Sequence, residues 1–301
     1  MWTVSTQVTR IFRFDASGCN GCDIEVLEAT TLVSLGELGI EIAERPDDAN
    51  LLVVTGGSNL KTKRELEIAY NVLQAPKTVV AVGSCAATMG IFKGGYSMAG
   101  PIDSIVPVDL YISGCPPRPQ VILGALADAL HLNVEGMEEL LRTPQGFRGD
   151  PHVDEAKCVG CVACAHVCPA DAIEIVGNGA IRRVRFMHKD CIFCGSCQDV
   201  CPSEAVELRA GRKAWFPAKD ASHSEAHLAV GNCRLCGAPY IPEAQVAWAL
   251  RRLDEKLALG ASERGMVERS LGICMHCRRT SIAEVREAKR ALASLARGSS
   301  A

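Results

Sequence analysis

The chain has 301 residues, 16 of them cysteine, and a formal net charge of −3. Hydrophobic residues make up 48 % and charged residues 22 %, a globular profile, and no apolar run approaches the roughly 18 residues of a membrane-spanning helix. Length allows a core without covalent staples, and residues 1–6 lack a basic segment followed by an apolar one, so neither a disulfide scaffold nor secretion is expected. Metal then explains the thiols better. Residues 1–150 carry 11 basic against 18 acidic groups, and residues 151–301 carry 21 against 17, which fits a multidomain chain. Aromatic residues are only 5 %, and no dense Lys/Arg cluster occurs, so no nucleic-acid partner is expected.

The first block alternates short apolar runs with helical patterns. Runs at 51–55, 78–82 and 108–112 each end in small residues, as buried parallel strands feeding loops do. Amphipathic helices are predicted at about 22–37, 61–74 and 118–131, the last opening at Pro116-Pro117-Arg118-Pro119, where proline suits a helix entrance. The alternation predicts an α/β fold, a flavodoxin-like doubly wound parallel sheet over residues 1–141. No Gly-x-Gly-x-x-Gly follows any strand, which argues against a dinucleotide site.

Cys19, Cys22, Cys85 and Cys115 fall in loops at the carboxyl ends of predicted strands or at helix starts, the edge where open α/β sheets bind ligands. Four thiols gathered there can hold one cubane cluster. Gly18, Gly21, Gly83, Ser84 and Gly114 let the backbone approach it closely. Four unrelated buried thiols are the plain alternative. Zinc is a weaker one, because its knuckles usually come as two Cys-x-x-Cys pairs.

Residues 142–151 read as a Pro/Gly-bearing linker. Beyond it, Cys158-x2-Cys161-x2-Cys164-x3-Cys168-Pro169 is repeated as Cys191-x2-Cys194-x2-Cys197-x3-Cys201-Pro202. Such runs hold two [4Fe–4S] clusters, each run lending its fourth cysteine to the other's cluster. One site is therefore expected on Cys158, Cys161, Cys164 and Cys201, the other on Cys191, Cys194, Cys197 and Cys168. The region 152–210 resembles the two-cluster bacterial ferredoxins, an α+β domain.

Residues 215–301 are expected to form a small metal-bound helical region, with helices at 243–259 and 281–297. Its pairs Cys233-x2-Cys236 and Cys274-x2-Cys277 suit a tetrahedral Zn²⁺ or a rubredoxin-type iron, with a further cluster as a third possibility. His223, His227 and His276 are alternative ligands, though satisfied surface histidines are the simpler reading.

The motifs Ser17-Gly18-Cys19-Asn20-Gly21-Cys22, Val82-Gly83-Ser84-Cys85-Ala86 and Gly114-Cys115-Pro116-Pro117-Arg118-Pro119 carry a family resemblance over about residues 10–135. They resemble the small subunit of energy-converting, group 4 membrane-associated [NiFe] hydrogenases and formate hydrogenlyases. The block is also similar to the 20 kDa-type subunit of NADH:quinone oxidoreductase. There the first two cluster cysteines are adjacent; the separation of Cys19 from Cys22 is the hydrogenase form. The resemblance implies a proximal [4Fe–4S] cluster on Cys19, Cys22, Cys85 and Cys115, facing a large subunit that holds the Ni–Fe centre. The chain departs from the usual arrangement by fusing this subunit to its ferredoxin partner.

Three [4Fe–4S] clusters and one zinc or mononuclear iron are therefore expected. The implied role is electron transfer in an oxidoreductase complex, with no catalytic residue on this chain. The implied partners are the [NiFe] large subunit, an electron-donor or acceptor protein and membrane ion-translocating subunits. The implied location is the cytoplasmic face of the membrane, held peripherally through those partners. Alternatives are a quinone-reducing module and a non-catalytic Fe–S assembly scaffold. Glu25 and Glu28 share a helix face. The plain reading is a solvated first turn, and the sharper one gives Glu25 a part in proton transfer. Arg118 is a candidate donor to cluster sulfides or to a partner. Lys61, Lys63 and Arg64 read as a solvated helix face.

Overall fold

The computed structural model describes residues 8–132, 136–140, 142, 149–209, 214–217 and 223–280, with 286, 287, 290 and 293. The first unit contains strands β1 (Thr9–Asp15), β2 (Ile40–Ile42), β3 (Leu51–Thr55), β4 (Ser58–Asn59), β5 (Thr78–Val82), β6 (Met98–Gly100) and β7 (Leu110–Ile112). Its helices are α1 (Gly21–Ala29), α2 (Thr62–Val72), α3 (Ser84–Thr88) and α4 (Pro119–Ala129), followed by the short α5 (Met137–Leu140).

Strands β2, β1, β3, β5 and β7 lie side by side in that order, all parallel. With the small antiparallel β4–β6 pair set aside, this is the order 2-1-3-4-5 of the flavodoxin-like doubly wound class. The alternation of side chains explains why the strand runs are apolar throughout. Leu51, Val53, Val80, Val82, Leu110 and Ile112 enter one core, beneath α1 and α4. Leu52, Val54, Val79, Ala81 and Tyr111 enter the other, with Leu66 of α2 and Ala86 of α3.

The helix predicted over 22–37 stops early. Thr30 Oγ donates to Leu27 O and Thr31 Oγ to Glu28 O, so side chains compete for the last carbonyls, and a 3-10 turn (Leu35–Leu38) follows. The linker reading covers residues 143–148, which lie outside the described residues. Its last two residues already belong to β8 (Asp150–Val153).

The ferredoxin unit has β8, α6 (Ala163–His166), β9 (Ile173–Gly177), β10 (Ile181–Met187), α7 (Ser196–Asp199) and β11 (Val206–Arg209). Strand β11 pairs antiparallel with β8, and β10 with β9. Its core is small: Val153, Val184, Phe186, Val206, Ala226 and Leu228, with Cys158, Cys164, Cys197 and Cys201 packed against it.

Two segments placed by sequence in the C-terminal region join other units. Strand β12 (Trp215–Pro217) pairs antiparallel with β7 and closes that edge of the first sheet. Strand β13 (His223–Asn232) pairs with β10 and extends the ferredoxin sheet, where β14 (Pro239–Pro242) follows as its edge. The remainder is α8 (Glu243–Leu257), α9 (Ala261–Leu271) and α10 (Met275–Thr280). The helix expected over 281–297 lies almost entirely outside the described residues. Among the described residues no helix is long and apolar enough to cross a membrane.

Trp215 fastens the returning strand. It is buried in the first core, and its Nε1 donates to Asp128 Oδ2 of α4 at 2.9 Å. Ser113 N also donates to Ala214 O at 2.8 Å. Removing a buried tryptophan costs about 3–5 kcal/mol. Trp215→Ala is therefore expected to lower stability to denaturant by that order. Amide hydrogen exchange should speed up in Leu110–Ile112 more than in Leu51–Thr55.

Candidate metal sites

Each of the four cysteines of the first block sits on the carboxyl edge of the sheet. Cys19 lies in the turn after β1, and Cys22 is the second residue of α1. Asn20, at φ 64°, turns the chain into that helix, and Thr55 at the end of β3 donates its hydroxyl to Asp23 Oδ1 at 2.7 Å. Cys85 is the second residue of α3, after β5, and Cys115 follows β7. The four line one cavity of about 360 Å³ together with Gly114 and Ser84. Cys85 is buried, while Cys19 and Cys115 are exposed at the mouth.

The residues fit a metal cluster. Burial, then Cys85, Cys115, Cys19 and Asp23, push the Cys22 thiol up to about 12. Burial, then Cys115 and Cys19, push Cys85 to about 11. Thiols so crowded stay protonated until positive charge enters among them, and ligation then releases their protons. The cradle is also closed to side chains. Gly83 has φ +88°, and a Cβ there would strike Cys22 Sγ; at Gly114 (φ +139°) it would stand 2.7 Å from Pro117.

The two runs of the ferredoxin unit build twin sites related by matching backbone. Positive φ recurs at equivalent positions: Gly160 and Phe193, Val162 and Gly195, Asp171 and Glu204. Cys164 and Cys197 are the second residues of the short helices α6 and α7. The fourth cysteines match as well, since Ala172 N donates to Cys168 Sγ and Ala205 N to Cys201 Sγ, both at 3.2 Å. One cavity of about 340 Å³ is lined by Cys158, Cys161, Cys164 and Cys201. The other, of about 400 Å³, is lined by Cys168, Cys191, Cys194 and Cys197. The structure thus brings together each run's first three cysteines with the other run's fourth. Burial, with the neighbouring thiols, pushes Cys164 to about 12. Burial also pushes Cys191 to about 12, against a backbone N–H from Phe193.

The last four cysteines are grouped more tightly. Among the described residues, Cys233, Cys236, Cys274 and Cys277 are the one set whose ligand atoms all lie within 4.8 Å of one another. Cys236 Sγ and Cys274 Sγ stand 3.8 Å apart. In a tetrahedron with metal–sulfur bonds of about 2.3 Å, neighbouring sulfurs stand about 3.8 Å apart. This set therefore fits a single ion, whereas the wider fours suit a cluster whose irons each take one thiolate. Cys274 N donates to Cys233 Sγ at 3.3 Å, and this N–H chiefly draws the Cys233 thiol down, toward the thiolate a metal needs. The local core is mostly these thiols and Ile273, with Tyr240 against it. The histidines stand apart: His227 and His223 flank Glu225 along one face of β13, at 2.7 and 3.7 Å, and His276 is exposed on α10.

Glu25 is half-buried on α1, and burial, then Glu28, raise its pKa. Arg118 is the N-cap of α4, and burial lowers its pKa. Lys61, Lys63 and Arg64 are exposed on and beside α2. Two serines make contacts that the sequence does not signal. The buried hydroxyls of Ser84 and Ser113 donate to Cys191 O and Lys189 O, 107 and 76 residues away.

Residues 19–129 match the family model of the NADH ubiquinone oxidoreductase 20 kDa subunit, and residues 148–205 match that of a 4Fe-4S dicluster domain. An uncharacterized protein of Methanocaldococcus jannaschii, MJ0516, is 42 % identical over 110 residues, 36 % of this chain and 74 % of that protein. The probable membrane-bound hydrogenase subunit mbhJ of Pyrococcus furiosus is 34 % identical over 121 residues, covering 40 % of this chain and 72 % of the relative. Formate hydrogenlyase subunit 7 of Escherichia coli is 37 % identical over 123 residues, 40 % and 48 % of the two chains. The fold and the dicluster domain define an iron–sulfur protein. More narrowly, the chain belongs to the family of the 20 kDa subunit, and the dicluster domain follows in the same polypeptide.

A single-ion site makes a countable prediction. Loaded alike with cobalt(II), Cys233→Ser/Cys277→Ser is expected to bind one equivalent fewer than the parent chain. The difference spectrum should show the thiolate charge-transfer bands of tetrahedral four-sulfur coordination.

Proposed function

We propose that the chain is the iron–sulfur electron-transfer subunit of a multi-subunit, membrane-associated [NiFe] hydrogenase complex. The carrying observation is that twelve cysteines gather into three fours around three cavities. Similarity to a probable hydrogenase subunit and to a formate hydrogenlyase subunit supports the choice of complex. Cys19, Cys22, Cys85 and Cys115 hold a proximal [4Fe–4S] cluster. Cys158, Cys161, Cys164 and Cys201 hold a second, and Cys191, Cys194, Cys197 and Cys168 a third. Such clusters take up and return single electrons without changing the bonds to their cysteines.

The protein's own work is to present deprotonated thiolates, to aim backbone N–H groups at sulfur and to keep water away; these also set the potentials. Cys233, Cys236, Cys274 and Cys277 hold one zinc or iron that pins the segments bearing them. Hydrogen chemistry belongs to a partner large subunit docked at the mouth between Cys19 and Cys115. Attachment to the membrane is peripheral, through partner subunits. A quinone-reducing role is the second reading, favoured by the 20 kDa-subunit match. The Cys19-x2-Cys22 spacing supports the first. Two Cys-x-x-Cys pairs in the large-subunit partner would decide for hydrogenase.

Anaerobically purified chain is expected to carry about 12 cluster irons and about 12 sulfides, one further iron or zinc, and no nickel. Cys85→Ala should lower the iron by about four and leave the ferredoxin unit loaded. Eight or fewer cluster irons in fully loaded parent protein would remove the first site from the proposal.

Glu25, half-buried three residues beyond Cys22, is proposed to move a proton alongside the electron at the large-subunit face. Its raised pKa keeps the carboxyl protonated to higher pH than an ordinary glutamate. Glu25→Gln in the assembled complex should lower turnover and flatten its pH profile. An unchanged profile removes the role.

A further inference from the structure

Of the last four cysteines, Cys233, Cys274 and Cys277 are buried and Cys236 is exposed, so their site opens on one side. Leu235 precedes Cys236 and is 46 % exposed; Met275 follows Cys274 and is 68 % exposed. The two knuckles meet there, since Cys236 Sγ and Cys274 Sγ stand 3.8 Å apart. Single apolar residues on a surface are ordinary, but here two large ones flank one mouth.

The charge around them is one-sided. Residues 232–242 and 269–280, which carry both knuckles, hold four arginines, one histidine and no carboxylate, in a chain with more acidic than basic groups. Arg234, His276 and Arg279 are exposed, and Arg278 is half-buried. Arg234 N donates to Gly272 O at 3.0 Å, and a Cβ on Gly272 would stand 3.5 Å from Arg234 Cδ, so this side chain reaches from one segment onto the other. Among the described residues Arg269, Arg278 and Arg279 form no ion pair, whereas Arg252 and Arg264 on α8 and α9 pair with Glu255 and Asp254. A divalent ion on four thiolates leaves two negative charges, fewer than the positive charges of the four arginines.

We propose that the face bearing Leu235, Met275, Arg234 and Arg279 is a docking surface for a protein partner whose contact face is rich in carboxylates. An apolar centre inside a polar rim is the anatomy of a protein interface, and methionine and arginine are enriched there. Guanidinium groups take carboxylates through paired N–H bonds, which orients the partner, and opposite charge speeds its approach. Nucleic acid would need rings to stack on. Tyr240 is the one Phe, Trp or Tyr in the two stretches, and it is half-buried with its hydroxyl on Leu271 O. A lipid surface would need a broad apolar helix face, and the six-residue α10 follows Met275 with His276, Arg278 and Arg279. The surface is built from this chain's own side chains and is independent of the cluster reading of the other three sites.

The test uses the full chain, purified anaerobically. The probes are a flavodoxin, chosen as a small acidic protein, the small basic protein cytochrome c, and phosphatidylglycerol vesicles. At low ionic strength the flavodoxin should bind and the cytochrome c should not, and added salt should weaken the binding. Arg234→Glu/Arg279→Glu should weaken it by about tenfold or more. Lys63→Glu/Arg64→Glu, on the exposed face of α2, should leave it unchanged. An equal count of bound cobalt(II) in parent and variants checks that the four-cysteine site survives the substitutions. Met275 should oxidise readily to its sulfoxide in the free chain and be protected by the flavodoxin, a reading that needs no substitution. Absent flavodoxin binding, equal binding by Arg234→Glu/Arg279→Glu, or a Met275 whose oxidation the flavodoxin does not change overturns the proposal. Tight binding to the vesicles overturns it too, and assigns the face to lipid.

Discussion

Four thiols brought into one enclosed space oppose their own ionisation, and the whole molecule is arranged around that opposition. Burial raises the Cys22, Cys85, Cys164 and Cys191 thiols, and each has other cysteines adding to the rise. A crowd of this kind is held in one of two states: protonated, or bound to metal. The backbone favours the second. N–H groups already point at Cys168, Cys201, Cys191 and Cys233, where they stabilise a thiolate more than a thiol.

The sheet determines where such a crowd can form. Strands β3, β5 and β7 are buried on both faces, so their side chains serve the two cores. What the strands leave free is the row of loops at their carboxyl ends. The chain reverses its winding between β1 and β3, and the crevice opens there. Cys19 and Cys22 come off β1, Gly56 and Gly57 off β3, Cys85 off β5 and Cys115 off β7. Four thiols from three stretches of sequence meet because the parallel strands β1, β5 and β7 end at one level. The ferredoxin unit solves the same problem locally, with three cysteines in one tight loop and one lent across to its twin.

The parts that sequence reading recovered are those whose physics is local. Five-residue apolar runs mark β3 and β5 because a strand buried on both faces needs them, and two matching cysteine runs specify reciprocal sites by spacing alone. Strand β1 carries no such mark: Thr9–Asp15 sets Arg10, Arg13 and Asp15 among its apolar residues, and no run stands out. The overlong first helix failed at Thr30 and Thr31, whose hydroxyls turn on their own backbone. The sequence marks Ser84 only as a small residue, because its partner lies 107 positions away. Strand β12 is three residues long, too short for any periodicity, and only its pairing with β7 defines it.

That short strand changes how the fusion should be understood. A flexible tether raises the concentration of one unit near another but leaves their orientation free. Here the chain leaves the first sheet, builds the ferredoxin unit and then returns to bond the sheet's open edge through Trp215–Pro217. Between departure and return the second cysteine run is pressed on the carboxyl edge by Ser84, Ser113 and Phe193. A loop anchored at both ends, with hydrogen bonds in its middle, fixes direction as well as distance. Electron transfer needs both, since its rate falls steeply as centres separate. Covalent fusion in this chain therefore does more than keep two electron carriers together: it makes their junction part of the fold, with its own buried polar groups to satisfy.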